Sequence, residues 1–309
     1  MKLTKPKFWD KRFLTFQSVL LYPFTFILDF RNLFYYFCKP KKYVEIKTIC
    51  IGNIYLGGTG KTPLTNFIAS KLKKKFKTAV IKKGYSDHID EKKLLEKNNK
   101  VFFDTNRSIS LLKAIRDKFE LAIFDDGLQD KKIDYDIKIV CFNALSLAGN
   151  QLRLPSGPLR ESMASLRKYD AVFIIGRNKD SKFVKKIKSI DKSIPIFYGE
   201  YVSTNFKKFK KNNNIVFSGI GTPQSFTNTL KQYGINIKLN IIFPDHYNYT
   251  KKDLERIKKI AKNENLKILT TEKDFCRIPK NLRKNINYLK ISLKIKKFRE
   301  FSNFIEKSL

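Results

Sequence analysis

Residues 50–63, CIGNIYLGGTGKTP, decide the fold. An apolar run, IKTICIG (46–52), leads into them, and the pattern LTNFIASKLKKK leaves them with Leu64, Phe67, Ile68 and Leu72 on one face, so the glycines stand between a strand and a helix. Gly57, Gly58 and Gly60 let the backbone turn its N–H groups toward an anion, and the helix start adds the positive end of its dipole. Lys61 has the reach for terminal phosphates, and the Thr62 hydroxyl is a hard oxygen of the kind that ligates Mg²⁺. Gly57, Gly58, Thr59, Gly60, Lys61 and Thr62 are therefore the expected nucleotide cradle. The first glycine of the general pattern is replaced here by Tyr55.

Outward from the cradle, apolar runs alternate with helical patterns. KTAVIK (77–82), KVFFD (100–104), LAIFDD (121–126), IKIVCF (137–142) and AVFIIG (171–176) read as buried strands, and SISLLKAIRDKF reads as a helix. Such alternation predicts an α/β fold with a parallel sheet of the P-loop NTPase type. LAIFDD ends in Asp125 and Asp126, either of which can hold the water shell of a metal beside the phosphates. A polar stretch, KKFKKNNN (207–214), precedes a second series with strands at NIVFSGI, INIKLNIIF, LKILTT and INYLKISL and helices near 223–233, 251–263 and 297–308. The expected organisation is an apolar membrane-associating helix in 1–38, a P-loop core in 39–200 and a smaller α/β domain in 201–309.

Composition narrows the function. At about 150 residues per domain, 309 residues suit two domains. Hydrophobic residues at 42% supply a core and exclude wholesale disorder. Cys38, Cys50, Cys141 and Cys276 form no CxxC pair, which argues against a disulfide framework or zinc knuckle. His88 and His246 are too few for a multi-histidine metal site. The formal charge of +36 favours anionic partners: phosphates, an acidic membrane surface or nucleic acid. No RNP-like aromatic motif or helix-turn-helix supports the last, and a nucleic-acid-stimulated ATPase ranks behind a kinase. Guanine is unsupported too, since Asn178-Lys179-Asp180 is followed by Ser181 where NKxD needs an acid. ATP is the default nucleotide.

The N-terminal run FLTFQSVLLYPFTFIL (13–28) spans about 24 Å as a helix, short of a membrane crossing. Pro23 and Gln17 interrupt it, and Phe34, Tyr35, Tyr36, Phe37 and KPKK (39–42) follow. An interfacial helix with aromatic and cationic anchors on anionic lipid suits this pattern, a monotopic rather than spanning attachment.

With the cradle, DDGLQ (125–129), RLPSGPLRE (153–161), FPDH (243–246) and TTEKD (270–274) in this order, the chain resembles the tetraacyldisaccharide 4′-kinase family over nearly its whole length. The resemblance implies ATP- and Mg²⁺-dependent phosphorylation of the 4′-hydroxyl of a tetraacyldisaccharide 1-phosphate in lipid A synthesis, on the cytoplasmic face of the inner membrane. It places the family's acidic pair on Asp90 and Glu91, and its acid–histidine dyad on Asp90 and His246. An imidazole beside a carboxylate suits proton transfer from a sugar hydroxyl. Where the family has SRGYG this chain has KKGYS (82–86), and Asp130 stands where a histidine usually follows DDGLQ. Independently of the family, Arg160 offers a bidentate grip on a phosphate, either the nucleotide's or the substrate's, with Glu161 to hold it. Asn150 is a candidate for the sugar hydroxyls. A soluble P-loop kinase or ligase of a small metabolite is the alternative.

Overall fold

Strands with two apolar faces are stable only when both faces are covered. The computed structural model, which describes residues 5–11, 13–26, 40–84 and 89–309 (side chains of 89–91 and 93 excepted), covers them in two compact units. The larger unit comprises Leu3–Gly84, Asn98–Glu200 and Ile295–Leu309, and the smaller one Tyr85–Lys97 and Tyr201–Lys294. The sequence led to consecutive segments at 1–38, 39–200 and 201–309, whereas these units interleave along the chain. The helix Ile89–Glu96 packs against Glu272–Arg277 and so goes with the smaller unit. The C-terminal helix Phe298–Ser308 returns to the larger one, where Phe301 meets Phe173 and Phe197 edge-on at 5.4 and 5.0 Å.

In the larger unit, β1 (Lys41–Lys42) and β6 (Ile133–Asp134) form a small parallel pair. The main sheet takes β2 (Lys47–Gly52), β3 (Thr78–Lys83), β4 (Lys100–Asp104), β5 (Leu121–Asp125), β7 (Ile137–Asn143), β8 (Ala171–Ile175) and β9 (Ile196–Ser203). Their order is β9-β8-β7-β2-β5-β3-β4, every pair parallel. One face is covered by a cluster that includes Phe102, Leu111, Ala114 and Phe124, the other by one that includes Phe142, Leu166, Phe183 and Ile187. In the β2–β5 register Ile51 stands opposite Asp125, so the loop after β2 and the acids that end β5 leave the sheet at the same level. That is the carboxyl edge, where open α/β sheets bind their ligands.

The smaller unit is a parallel sheet of β10 (Asn213–Ser218), β11 (Asn236–Ile242), β12 (Lys267–Thr271) and β13 (Ile286–Leu289) in the order β11-β10-β12-β13. The run INYLKISL, expected as one strand, divides into β13 and β14 (Ile291–Ile295), and Asn205 Oδ1 accepts from the Lys290 N–H at the break (2.9 Å). The run IFYGEYVS, unassigned from the sequence, is β9. The polar KKFKKNNN separator folds into a short helix, Lys207–Lys210, and the start of β10.

Within residues 13–26 the N-terminal run opens with short turns rather than one continuous helix. Thr15 and Ser18 cap a turn at Phe16–Leu20, and a 3₁₀ turn at Tyr22–Phe24 follows, because Pro23 has no N–H to continue the ladder. Phe13, Leu14, Phe16, Leu20, Phe24 and Phe26 are exposed, Phe16 at 81%. Among the described residues no helix is long and apolar enough to cross a membrane. Residues 27–39, with the aromatic cluster, lie outside the described residues.

Phe301 is buried in the sheet-facing side of the last helix. Phe301→Ala should cost about 3–5 kcal/mol in urea unfolding, and a loss below about 1 kcal/mol would show that this helix does not close the larger unit's core.

Candidate active site

The loop between β2 and the helix Lys61–Leu72 is held by its own backbone and by a second loop. Gly60 caps the helix in the left-handed region (φ 85°), and Gly57 takes φ 147°, conformations that a side chain would strain. Asn53 Nδ2 donates to the carbonyls of Tyr55 (2.6 Å) and Gly57 (3.2 Å), drawing the loop into a ring. Asn143, at the end of β7, donates to the Gly58 carbonyl (3.4 Å). Outside the ring runs the 153–161 loop: the Leu56 N–H donates to the Pro158 carbonyl (2.8 Å) and the Arg160 N–H to the Ile54 carbonyl (2.7 Å). RLPSGPLRE is thus a splint along the phosphate loop, and it delivers Arg160 to the loop's mouth.

The two acids at the end of β5 face different surroundings. Asp125 is fully buried and turned inward: Oδ2 accepts from Thr62 Oγ1 (3.0 Å) and from Lys82 Nζ (2.7 Å), and Oδ1 from Thr65 (3.4 Å). Lys82 is itself buried, so this ion pair lies inside the unit rather than at its surface. Asp126 has a left-handed backbone (φ 63°) and faces outward. Its carboxylate meets Lys61 Nζ at 3.7 Å and Arg160 at 3.4 Å. Burial alone would push the Asp126 carboxyl up, but Lys61, Arg160, Lys82 and Arg107 together hold it below the usual carboxylate range.

Arg107 and Gln129 were not legible as site residues. Arg107, at the start of the helix Arg107–Arg116, donates to the Asp126 carbonyl and pairs with Asp130 at 3.3 Å. Asp130, the departure from the histidine of the family pattern, is therefore the counter-charge of an arginine that carries the Asp126 turn. Gln129 donates to the Asn53 carbonyl (2.9 Å) and to Glu161 (2.8 Å), and accepts from Arg160 (3.3 Å). Glu161 therefore reaches Arg160 through Gln129, not by the direct ion pair expected. Its carboxylate also accepts from the Tyr169 hydroxyl (2.9 Å). Asn150, expected at sugar hydroxyls, engages both ends of its amide in its own loop, donating to the Ser156 carbonyl (3.0 Å) and accepting from the Leu152 N–H (3.1 Å).

The donor set fits a hydrated magnesium ion on a nucleotide. Thr62 and the two aspartates are hard oxygens, and among the described residues no cluster of three His, Cys, Asp or Glu builds an all-protein cage. Mg²⁺ commonly takes one or two carboxylates, with phosphates and water for the rest. The Thr59 hydroxyl is buried in the loop without a hydrogen-bond partner among the described residues, as a group that serves a ligand would be.

In the smaller unit, His246 stands beyond the carboxyl end of β11. Its backbone is left-handed (φ 55°), with its N–H shared between the Gly219 carbonyl (3.2 Å) and Asp245 (2.9 Å). Asp274, fully buried, accepts from Tyr249 (2.9 Å), the Gly219 N–H (3.1 Å) and Arg277 (2.9 Å). Arg277 also reaches Nδ1 of His246 at 3.3 Å. A guanidinium only donates, so for a neutral imidazole this contact assigns the proton to Nε2. FPDH and TTEKD thus meet through one arginine. The helix that carries Asp90 and Glu91 packs on the Asp274–Arg277 helix, though those two side chains lie outside the described ones.

The family model described as tetraacyldisaccharide-1-P 4′-kinase matches residues 14–309. A tetraacyldisaccharide 4′-kinase of Pelagibacter ubique is 46% identical over 98% of this chain and 97% of its own length. One from Rickettsia bellii is 35% identical over 90% of each. The solved structure of LpxK from Aquifex aeolicus, in complex with ATP, shares the fold with a TM-score of 0.70, at 24% identity over 94% of this chain and 99% of that one.

The folded-state pKa of Asp126 lies below its unfolded value, so its stabilisation is full above the unfolded value and is lost as pH falls through the folded one. Asp126→Asn should therefore flatten the loss of stability as pH falls below the ordinary carboxylate range in acid denaturation. An unchanged acid limb would remove the carboxylate from the cation cluster.

Proposed function

The chain belongs to the tetraacyldisaccharide-1-phosphate 4′-kinase family, and we propose that it moves the γ-phosphoryl group of MgATP to the 4′-hydroxyl of a tetraacyldisaccharide 1-phosphate, a lipid A precursor. The observation that carries this reading is the meeting of Lys61 and Arg160 at Asp126 in the mouth of a splinted glycine loop. The loop's N–H groups and Lys61 hold the phosphate tail, and Arg160 takes charge that spreads over the transferring group. Mg²⁺, when bound through Thr62 and Asp125 or Asp126, neutralises charge on the β- and γ-phosphates. Transfer is in line: the 4′-oxygen bonds to the γ-phosphorus, the bond to the bridging oxygen breaks, and ADP departs.

The acceptor proton passes to Asp90. His246, whose ring Arg277 reaches at Nδ1, is its partner in the proposed dyad. Glu91, the second acid of the pair, serves the sugar in this reading. General-base assistance of this kind is worth about 10²–10⁴ in rate. The exposed Phe13, Leu14, Phe16, Leu20, Phe24 and Phe26 lie at a bilayer surface, with Lys5, Lys7 and Lys11 close by in sequence for anionic headgroups. The chain is thereby kept where a substrate with four acyl chains resides, peripheral on the cytoplasmic face of the inner membrane.

Assay with radiolabelled ATP and a tetraacyldisaccharide 1-phosphate should show transfer. Asp90→Asn and His246→Gln should each lower kcat by about 10²–10⁴ with ATP affinity unchanged. Wild-type protein that hydrolyses ATP without labelling the lipid would overturn the substrate assignment.

A further inference from the structure

Tyr55 occupies the phosphate-loop position where the general pattern has glycine, and its ring is buried. Its hydroxyl leaves the loop and meets the N-terminal segment. It donates to Asp10 Oδ1 (2.6 Å) and receives Lys5 Nζ, which also lies 4.8 Å over the ring and pairs with Asp10 at 2.5 Å. The same segment grips the splint loop. Trp9 Nε1 donates to the Pro155 carbonyl (3.0 Å), the Asn150 N–H donates to the Trp9 carbonyl (2.9 Å), and Ser156 Oγ donates to the Ser18 carbonyl. Gly149 passes so close to Trp9 that an added Cβ would stand 2.3 Å from the Trp9 carbonyl oxygen. The segment therefore touches the phosphate loop twice, directly at Tyr55 and through the 153–161 loop, whose Pro158 and Arg160 bind Leu56 and Ile54.

We propose that Tyr55 is a positioning residue: the Lys5–Asp10–Tyr55 tie makes the N-terminal segment part of the nucleotide site, so that seating the segment on lipid orders the phosphate loop and tightens ATP binding. The chain's exposed apolar row begins at Phe13, three residues beyond Asp10, so a bilayer that holds the row also holds Asp10. The loop then loses less conformational freedom when the nucleotide arrives. The lipid half of this inference rests on the membrane reading above; the tie itself does not.

Tyr55→Phe keeps the ring and removes only the hydroxyl, and Asp10→Asn alters a partly exposed partner. Each should raise the KM and Kd for MgATP by about three- to tenfold with kcat retained, and the double variant should be no worse than the weaker single. Adding vesicles of phosphatidylglycerol and phosphatidylethanolamine should tighten MgATP binding to the wild type, and should tighten it much less in either variant, although both sediment with the vesicles as the wild type does. Variants that bind ATP like the wild type, or that respond to vesicles as fully, would overturn the proposal. Wild-type protein that does not sediment with vesicles would defeat the membrane reading, while the comparison in solution would still decide the tie.

Discussion

Two neighbouring carboxylates at the end of one strand, turned opposite ways, are the constraint on which the site depends. A strand alternates its side chains, and the left-handed step at Asp126 carries the second acid away from the sheet. Asp125 joins Thr62 and Lys82 inside the larger unit, whereas Asp126 joins Lys61 and Arg160 at the loop's mouth. The inward pair fixes the start of the helix Lys61–Leu72. The outward carboxylate keeps two phosphate-seeking cations within 3.7 Å of it. Arg107 holds the backbone carbonyl just after them, and Gln129 ties that turn to Asn53 at the base of the phosphate loop. Preorganisation of this kind lets charge neutralisation act on the transition state without rearranging the protein first.

The fold was legible where the information is local. Apolar runs bounded by turn residues gave most of the parallel strands to within a residue or two, and GGTGKT identified its own place between strand and helix. What escaped depended on distance in sequence. Lys82 sits in an apolar strand, and its partner Asp125 is 43 residues away. Arg107 and Asp130 become a pair only once the helix after β4 lies across the end of β5. Asn150 and Glu161 looked like ligand-facing polar groups, but a polar side chain in a tight loop is often consumed by the loop's own backbone, as Asn150 is. The unit boundaries escaped for the same reason, because the helices at 89–96 and 298–308 take the surfaces their apolar faces fit.

The large positive charge has a local explanation alongside its attraction for anions. Lys41, Lys47 and Lys77 each lie over a ring of Tyr43, Phe76 or Phe119 at 4.8–5.0 Å. A chain rich in lysine and phenylalanine can cover aromatic surface with aliphatic stems and ammonium groups together. Such lysines serve the fold, whereas Lys61 and Arg160 gather at Asp126.

The central claim is that the site recognises a nucleotide by its phosphate tail. Isothermal titration of the protein with ATP, ADP and AMP in the presence of magnesium tests it most directly. Affinity should fall steeply with each phosphate removed, AMP binding at least about 100-fold more weakly than ATP, since a charge-assisted hydrogen bond to a phosphate oxygen is worth roughly 1.5–3 kcal/mol. Equal affinity for AMP and ATP, or no binding of ATP with magnesium present, would contradict it.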